Sequence, residues 1–261
     1  MKYLLNITII AILGIFFTSC QVNKTHVKNY YKKLNDQTVF VETTDIVKAV
    51  GCEQKSADFL MEESICSFLL QNLPDIHGSY IGTGTFISHQ GKTRVLTAEH
   101  VCYPAEMPDV IDRGDVIIRV ERSSSIIVRS QHFSSAAKIV KKSKDLDLCI
   151  LELEEEIKIK PAKIARKIPK RGSYVVYAGA PYGMISEALL LTFEGTYSGD
   201  SISSMVFSLP CAPGASGSSI RNRKNKIISM VQRVHPEFSH ICVGVSTAKL
   251  RDFLSTKHPE K

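Results

Sequence analysis

Short apolar runs separated by polar turns fill the chain from Gly78 onward. Six of them, Gly82–Ser88, Arg94–Thr97, Val116–Val120, Ile126–Arg129, Ala136–Val140 and Leu148–Leu153, show the alternation or brief continuous run of half-buried and buried strands. A charged, proline-punctuated stretch at 154–172 breaks the pattern. Six more runs follow at Ser173–Gly179, Ala188–Tyr197, Met205–Leu209, Ser218–Arg221, Ile227–Gln232 and Ile241–Val245. Their alternation and spacing predict an all-β chain with a first antiparallel barrel over about 78–153, a crossover at 154–172 and a second barrel over about 173–245. The period then changes. Thr247–Leu254 reads as the body of a terminal helix at 246–257, capped by Ser246.

Upstream of the barrels the pattern is weaker. Between Asp45 and Leu73 the apolar positions fall at mixed spacing. A helix from about Ser56 to Leu70 fits them, with Ser56 as its cap and Leu73-Pro74 after its end. Residues 20–45 are polar and lysine-rich and read as a tether, which leaves 46–261 as the globular domain. Residues 1–19 read as a signal peptide. Lys2 supplies the positive start, and the apolar run Leu4–Phe17 is short for a membrane span. Phe17-Thr18-Ser19-Cys20 resembles a bacterial lipoprotein box, which would make Cys20 a lipidated first residue. The expectation is an exported protein held in the membrane on the extracytoplasmic side, or a secreted one if Cys20 carries no lipid.

Composition changes this picture little. With 261 residues, 44% hydrophobic and 23% charged, there is chain enough for a two-barrel domain. The net charge of +7 is scattered over Lys32-Lys33, Lys141-Lys142, Arg166-Lys167 and the stretch Arg221–Lys226, away from aromatic clusters. Nucleic acid is therefore not an expected partner, and an anionic lipid surface is compatible. No pair of the eight histidines has metal-ligand spacing beside a cysteine or carboxylate cluster, so neither metal nor cofactor is expected. Seven cysteines leave six if Cys20 is lipidated. Cys52 with Cys66 and Cys211 with Cys242 are candidate bridges, whereas Cys102 and Cys149, on apolar strands, read as buried thiols.

The chemistry gathers in three motifs. Cys211-Ala212-Pro213-Gly214-Ala215-Ser216-Gly217-Ser218-Ser219 sets a serine among glycines. A serine hydroxyl is a weak nucleophile at neutral pH and needs a base, together with donors for the oxyanion that forms. Thr97-Ala98-Glu99-His100 closes the run Arg94–Ala98 and offers the base. Asp145-Leu146-Asp147-Leu148 offers the orienting acid at the mouth of a buried strand. Asp145 competes for that role, and the strand phase set by Leu146, Leu148 and Ile150 favours Asp147.

The order His, Asp, Ser and the spacing of these motifs resemble the trypsin-like, chymotrypsin-fold serine peptidases. Within them the chain is most similar to the bacterial HtrA-like and glutamyl-endopeptidase-like branch, through Gly179-Ala180-Pro181-Tyr182-Gly183, Thr192-Phe193-Glu194-Gly195 and Val243-Gly244-Val245-Ser246. The resemblance covers roughly Tyr80 to Leu254. It implies two six-stranded Greek-key barrels with a C-terminal helix, and a serine endopeptidase acting on protein or peptide substrates. It also implies His100 as general base, Asp147 as its orienter and Ser216 as nucleophile, with the N–H groups of Gly214 and Ser216 as the oxyanion hole. It places Pro210 and Cys211 at the floor of the specificity pocket, and Val231 and Gln232 at its wall. No carboxylate stands among those four. A small or medium apolar residue at the cut site is therefore expected over Lys or Arg, because an unpaired cation in a pocket is costly. Arg233 leaves open an acidic residue instead. The rival reading is a catalytically silent binding or scaffold protein on the same fold.

Overall fold

The computed structural model describes residues 28–54, 62–103, 109–114, 116–186, 189–200 and 204–256. The expected signal peptide, Cys20 and the helix cap Ser56 lie outside them. In chain order the elements are α1 (28–36), β1 (Thr38–Gln54), α2 (Glu62–Asn72), β2 (Ile76–His89), β3 (Lys92–Thr97), α3 (Glu99–Cys102), β4 (Val110–Asp112), β5 (Val116–Arg129), β6 (Ser134–Ser143), β7 (Leu148–Leu153), β8 (Lys163–Ile164), β9 (Tyr174–Gly179), β10 (Ile185–Ser186), β11 (Leu189–Asp200), β12 (Ser204–Ser208), β13 (Ser219–Asn222), β14 (Lys226–His235), β15 (Phe238–Val245) and α4 (Thr247–Ser255).

Two closed antiparallel barrels result. The first runs β1-β2-β3-β7-β6-β5 and closes through β5 onto β1, with β4 added outside β5. The second runs β11-β12-β15-β14-β13-β9 and closes through β9 onto β11, with β10 and the parallel β8 as additions. Numbered within each barrel, both follow the order one, two, three, six, five, four. This is the expected pair of six-stranded Greek-key barrels. Closure leaves each barrel without a free edge. Inward side chains fill two cores, one around Val39, Phe86, Val95 and Leu151, the other around Tyr177, Phe207, Ile220 and Ile228.

The tether expected over 20–45 is replaced from residue 28 onward by α1 and β1. Leu34 of α1 is fully buried against Val176 and Ala178 of the second barrel, and Val39, Val41 and Thr43 alternate inward along β1. The first barrel therefore starts at Thr38, forty residues before the expected boundary. The two short strands expected at Val116–Val120 and Ile126–Arg129 are one strand, β5. Its polar centre, Glu121–Ser125, pairs with Thr44–Lys48 of β1 in a ribbon, where Ser124 donates to the Asp45 carboxylate at 2.5 Å. The helix expected from Ser56 is found at Glu62–Asn72, tied to β1 by Cys52–Cys66. Cys211–Cys242 also forms. Cys102 and Cys149, read as thiols, are paired as well, because α3 delivers Cys102 onto the first residues of β7.

The barrels meet over a mixed seam. Ile87, Leu96, Leu148 and Ile150 of the first pack with Ile227, Met230 and Val245 of the second, under Leu250 and Phe253 of α4. Ser246 caps α4 by accepting from the N–H of Lys249 at 3.3 Å. At the other end Lys141 donates to the carbonyls of Phe253 and Thr256 at 2.5 Å, complementing the negative helix terminus. A polar knot crosses the same seam. Arg221 is fully buried and donates to Ser219, Gln37 and Asn225, while Thr85 of the first barrel donates to Ser219 at 2.8 Å. Burial pulls the Arg221 pKa below its ordinary range, the cost of desolvating a cation that has only neutral partners.

Leu34→Ala tests whether α1 belongs to the domain. Removing a fully buried leucine is expected to cost about 2–4 kcal/mol and to lower the thermal midpoint. An unchanged midpoint in a thermal melt would show that α1 carries no stability.

Candidate active site

The turn after β3 aims His100 outward. Val101 and Cys102 of α3 point into the first core and are buried, so His100 between them and Glu99 faces the surface, with about half its side chain exposed. Asp147 ends the turn before β7 with a positive φ of 47°. Aspartate tolerates that region better than most residues, since its short side chain bonds locally. Its carboxylate accepts from the backbone N–H of His100 at 3.0 Å and from His100 Nδ1 at 2.9 Å. A carboxylate can only accept, so the proton lies on Nδ1 and Nε2 presents a lone pair. Cys102–Cys149 clamps α3 to β7 directly behind this pair, joining the residue two after His100 to the residue two after Asp147. Asp145 makes no such bond among the described residues. Glu99 is buried beside them, and desolvation raises its carboxyl pKa, with Lys142 opposing.

Glycines bring the serine loop to the same place. Gly217 has φ of 83°, and a β-carbon there would overlap the carbonyl of Thr83 and the hydroxyl of Thr97 and come within 3.0 Å of Ala98 N. Gly82 lies between Val101 and Ser216. A β-carbon on it would sit 2.5 Å from a Val101 methyl and 2.9 Å from Ser216 O. Ser216 therefore sits against the helix that carries His100. Thr83 fastens the loop: its N–H donates to Ser216 O at 2.8 Å, and its hydroxyl donates to Gly214 O at 2.9 Å and accepts from Ala180 N at 3.1 Å. The N–H groups of Ala215, Gly217 and Ser218 bond to Ala212, Val231 and Ala215. Among the described residues the N–H groups of Gly214 and Ser216 have no acceptor, nor does Ser216 Oγ make a hydrogen bond. Two spare donors flanking a half-buried hydroxyl suit an oxyanion that forms at that hydroxyl.

The four residues expected to shape a specificity pocket do not come together as one. Cys211 and Val231 face the core of the second barrel, and Cys211 is spent in a disulfide. Val231 instead holds the serine loop, with its carbonyl accepting from Gly217 N–H and its N–H donating to Ser218 O. Pro210 is exposed, and its carbonyl accepts from Tyr177 at 2.9 Å. Gln232 turns toward the first barrel and donates to Leu146 O. There it lines a hollow of about 390 Å³ beside His100 and Asp147. A larger hollow of about 610 Å³, between α1 and the β5–β6 turn, includes none of the three candidate catalytic residues. Thr83 and Gly82 were missed by the sequence reading, although their string Gly82-Thr83-Gly84-Thr85 marks a strand that another backbone approaches closely.

Residues 82–230 match the family described as "Trypsin-like peptidase domain". A search of curated proteins gives no significant match. Among solved structures, the chain is similar to the Rv3671c protease of M. tuberculosis in its active form, with 14% identity and a TM-score of 0.57 over 89% of this chain and 86% of that one. The inactive form of Rv3671c is similar at 13% identity and a TM-score of 0.55, over 87% and 91%. The serine endoprotease of Yersinia pestis is similar at 18% identity and a TM-score of 0.58, over 86% of this chain and 64% of that one.

Asp147→Asn would keep the turn but remove the charge that fixes the Nδ1 proton. The acylation rate of Ser216 by an activated ester is expected to fall by roughly 10⁴-fold, measured by stopped-flow release of the leaving group. A loss under tenfold would deny Asp147 an orienting role.

Proposed function

The chain belongs to the trypsin-like peptidase domain family, and on that premise we propose that it is a serine endopeptidase acting through an acyl-enzyme on protein substrates. One observation carries the reading. The Asp147 carboxylate holds His100 by Nδ1 at 2.9 Å, while Gly217 packs the Ser216 loop onto the turn that leads into His100. Ser216 Oγ attacks the scissile carbonyl carbon and gives its proton to His100 Nε2. The N–H groups of Gly214 and Ser216 receive the oxyanion. Collapse breaks the C–N bond, and the departing amine takes the proton from His100. Water then attacks the acyl carbon, gives its proton to His100, and releases Ser216 with its proton restored. Asp147 stays ionised throughout and stabilises the imidazolium.

The finer expectations belong to the same proposal. Cleavage follows a small or medium apolar residue, since none of Pro210, Cys211, Val231 and Gln232 carries a carboxylate that could neutralise a basic one. The protein works outside the cytoplasm, held to membrane lipid through Cys20. A silent binding module has one observation in its favour, the unbonded Ser216 Oγ, but hydrogen bonds to catalytic nucleophiles often tighten only when substrate arrives.

Fluorophosphonate labelling of the parent, Ser216→Ala and His100→Ala separates these readings. Labelling of the parent that disappears in both variants is expected. An unlabelled but folded parent would favour the silent module.

A further inference from the structure

The hollow beside His100 and Asp147 has a chemistry of its own. Lys144 from the β6–β7 turn, Arg233 from β14 and Lys249 from α4 converge on it. Two carboxylates line it with them, and a third, that of the buried Glu99, lies close enough to feel the charge of Lys144. That of Asp147 is engaged by His100, and that of Asp145 is exposed at the rim. Setting Asp145 against Lys249 leaves Arg233 and a Lys144 that Glu99, shared with Lys142, offsets only in part. The side chains of Lys144 and Arg233 have no ion-pair or hydrogen-bond partner among the described residues. The wall between them is fixed, because Gln232 donates to Leu146 O and so links β14 to the turn that bears Lys144. The strand register shifts between Val231 and Arg233, which marks a bulge. Bulges re-aim side chains in this way.

We propose that this hollow is a subsite for an acidic side chain of the substrate. The inference rests on the peptidase reading and gives it a substrate class: chains with Glu or Asp close to the cut, at a position other than the cut residue. His100 lines the hollow and also serves the scissile bond. An extended chain advances ~3.3 Å per residue, so a residue one to three positions from that bond reaches the cations. The volume of about 390 Å³ admits a carboxylate side chain with its water. Exposed cations at the rim give such a preference modest strength and strong salt dependence.

The test uses the full chain with Ser216→Ala, in mild detergent, so that peptide is bound and not consumed. Fluorescent peptides carry one Glu or one Gln walked across the sequence, and anisotropy reports affinity. At one register the Glu peptide is expected to bind roughly twofold to fivefold more tightly than its Gln twin. High salt and the double variant Lys144→Gln/Arg233→Gln are each expected to bring that ratio close to one. Arg233→Glu, an exposed change, is expected to turn the preference toward Lys. Equal binding of Glu and Gln peptides at every register, or a preference that survives in the double variant, overturns the proposal. Labelling of the parent by fluorophosphonate judges the peptidase reading separately, so an active enzyme with no acidic preference sinks the subsite alone.

Discussion

Gly217 is where the two barrels must touch. Its α-carbon lies so close to Thr83, Thr97 and Ala98 that any side chain would overlap the first barrel. Position 217 belongs to the loop ahead of β13, and Ala98 to the turn ahead of α3. One contact thus sets the separation between the loop that carries Ser216 and the turn that carries His100. The remaining site geometry follows from it. Thr83 can bond both Gly214 and Ser216 only because the loop comes that near. Once the adjoining N–H groups have found acceptors, those of Gly214 and Ser216 are left over.

Holding such a contact requires a rigid seam, and the seam combines two kinds of interaction. Apolar packing under α4 supplies area, which is non-directional. The Arg221 knot supplies direction. Its guanidinium, serine, glutamine and asparagine partners draw on α1–β1, β13 and the turn after it. A buried cation with neutral partners is costly to keep and costlier to disturb. Gln37, at the junction of α1 and β1, is therefore as much a part of the seam as the strands. On the outer side Cys102–Cys149 fixes His100 relative to Asp147.

Much of this was legible in the sequence. All twelve expected runs overlie strands, ten of them separate strands and two the halves of β5, and Leu148–Leu153 matches β7 at both ends. The His100, Asp147 and Ser216 motifs came with strand-like flanks because each sits where a strand ends. β1 escaped notice because its apolar run Val39-Phe40-Val41 is brief, polar residues follow it as far as Asp45, and a lysine-rich stretch precedes it. The polar centre of β5 looked like a turn because it lies in a ribbon beyond the barrel core. The pairing of Cys102 with Cys149 spans 47 residues and depends on strand order, which periodicity does not report. Where the expected pocket residues point was illegible for a similar reason. Which way Val231, Gln232 and Arg233 point is decided by a bulge, and a one-residue change of register moves side chains to the other face.

In the proposed mechanism Ser216, alone in its serine-rich loop, is the activated nucleophile. Mass spectrometry of the protein quenched during turnover of a slow-deacylating ester tests it most directly. The account requires a single acyl group, located on the peptide bearing Ser216 and absent from His100→Ala. An acyl group on Ser218 or Ser219, or no adduct on a folded protein, would contradict it.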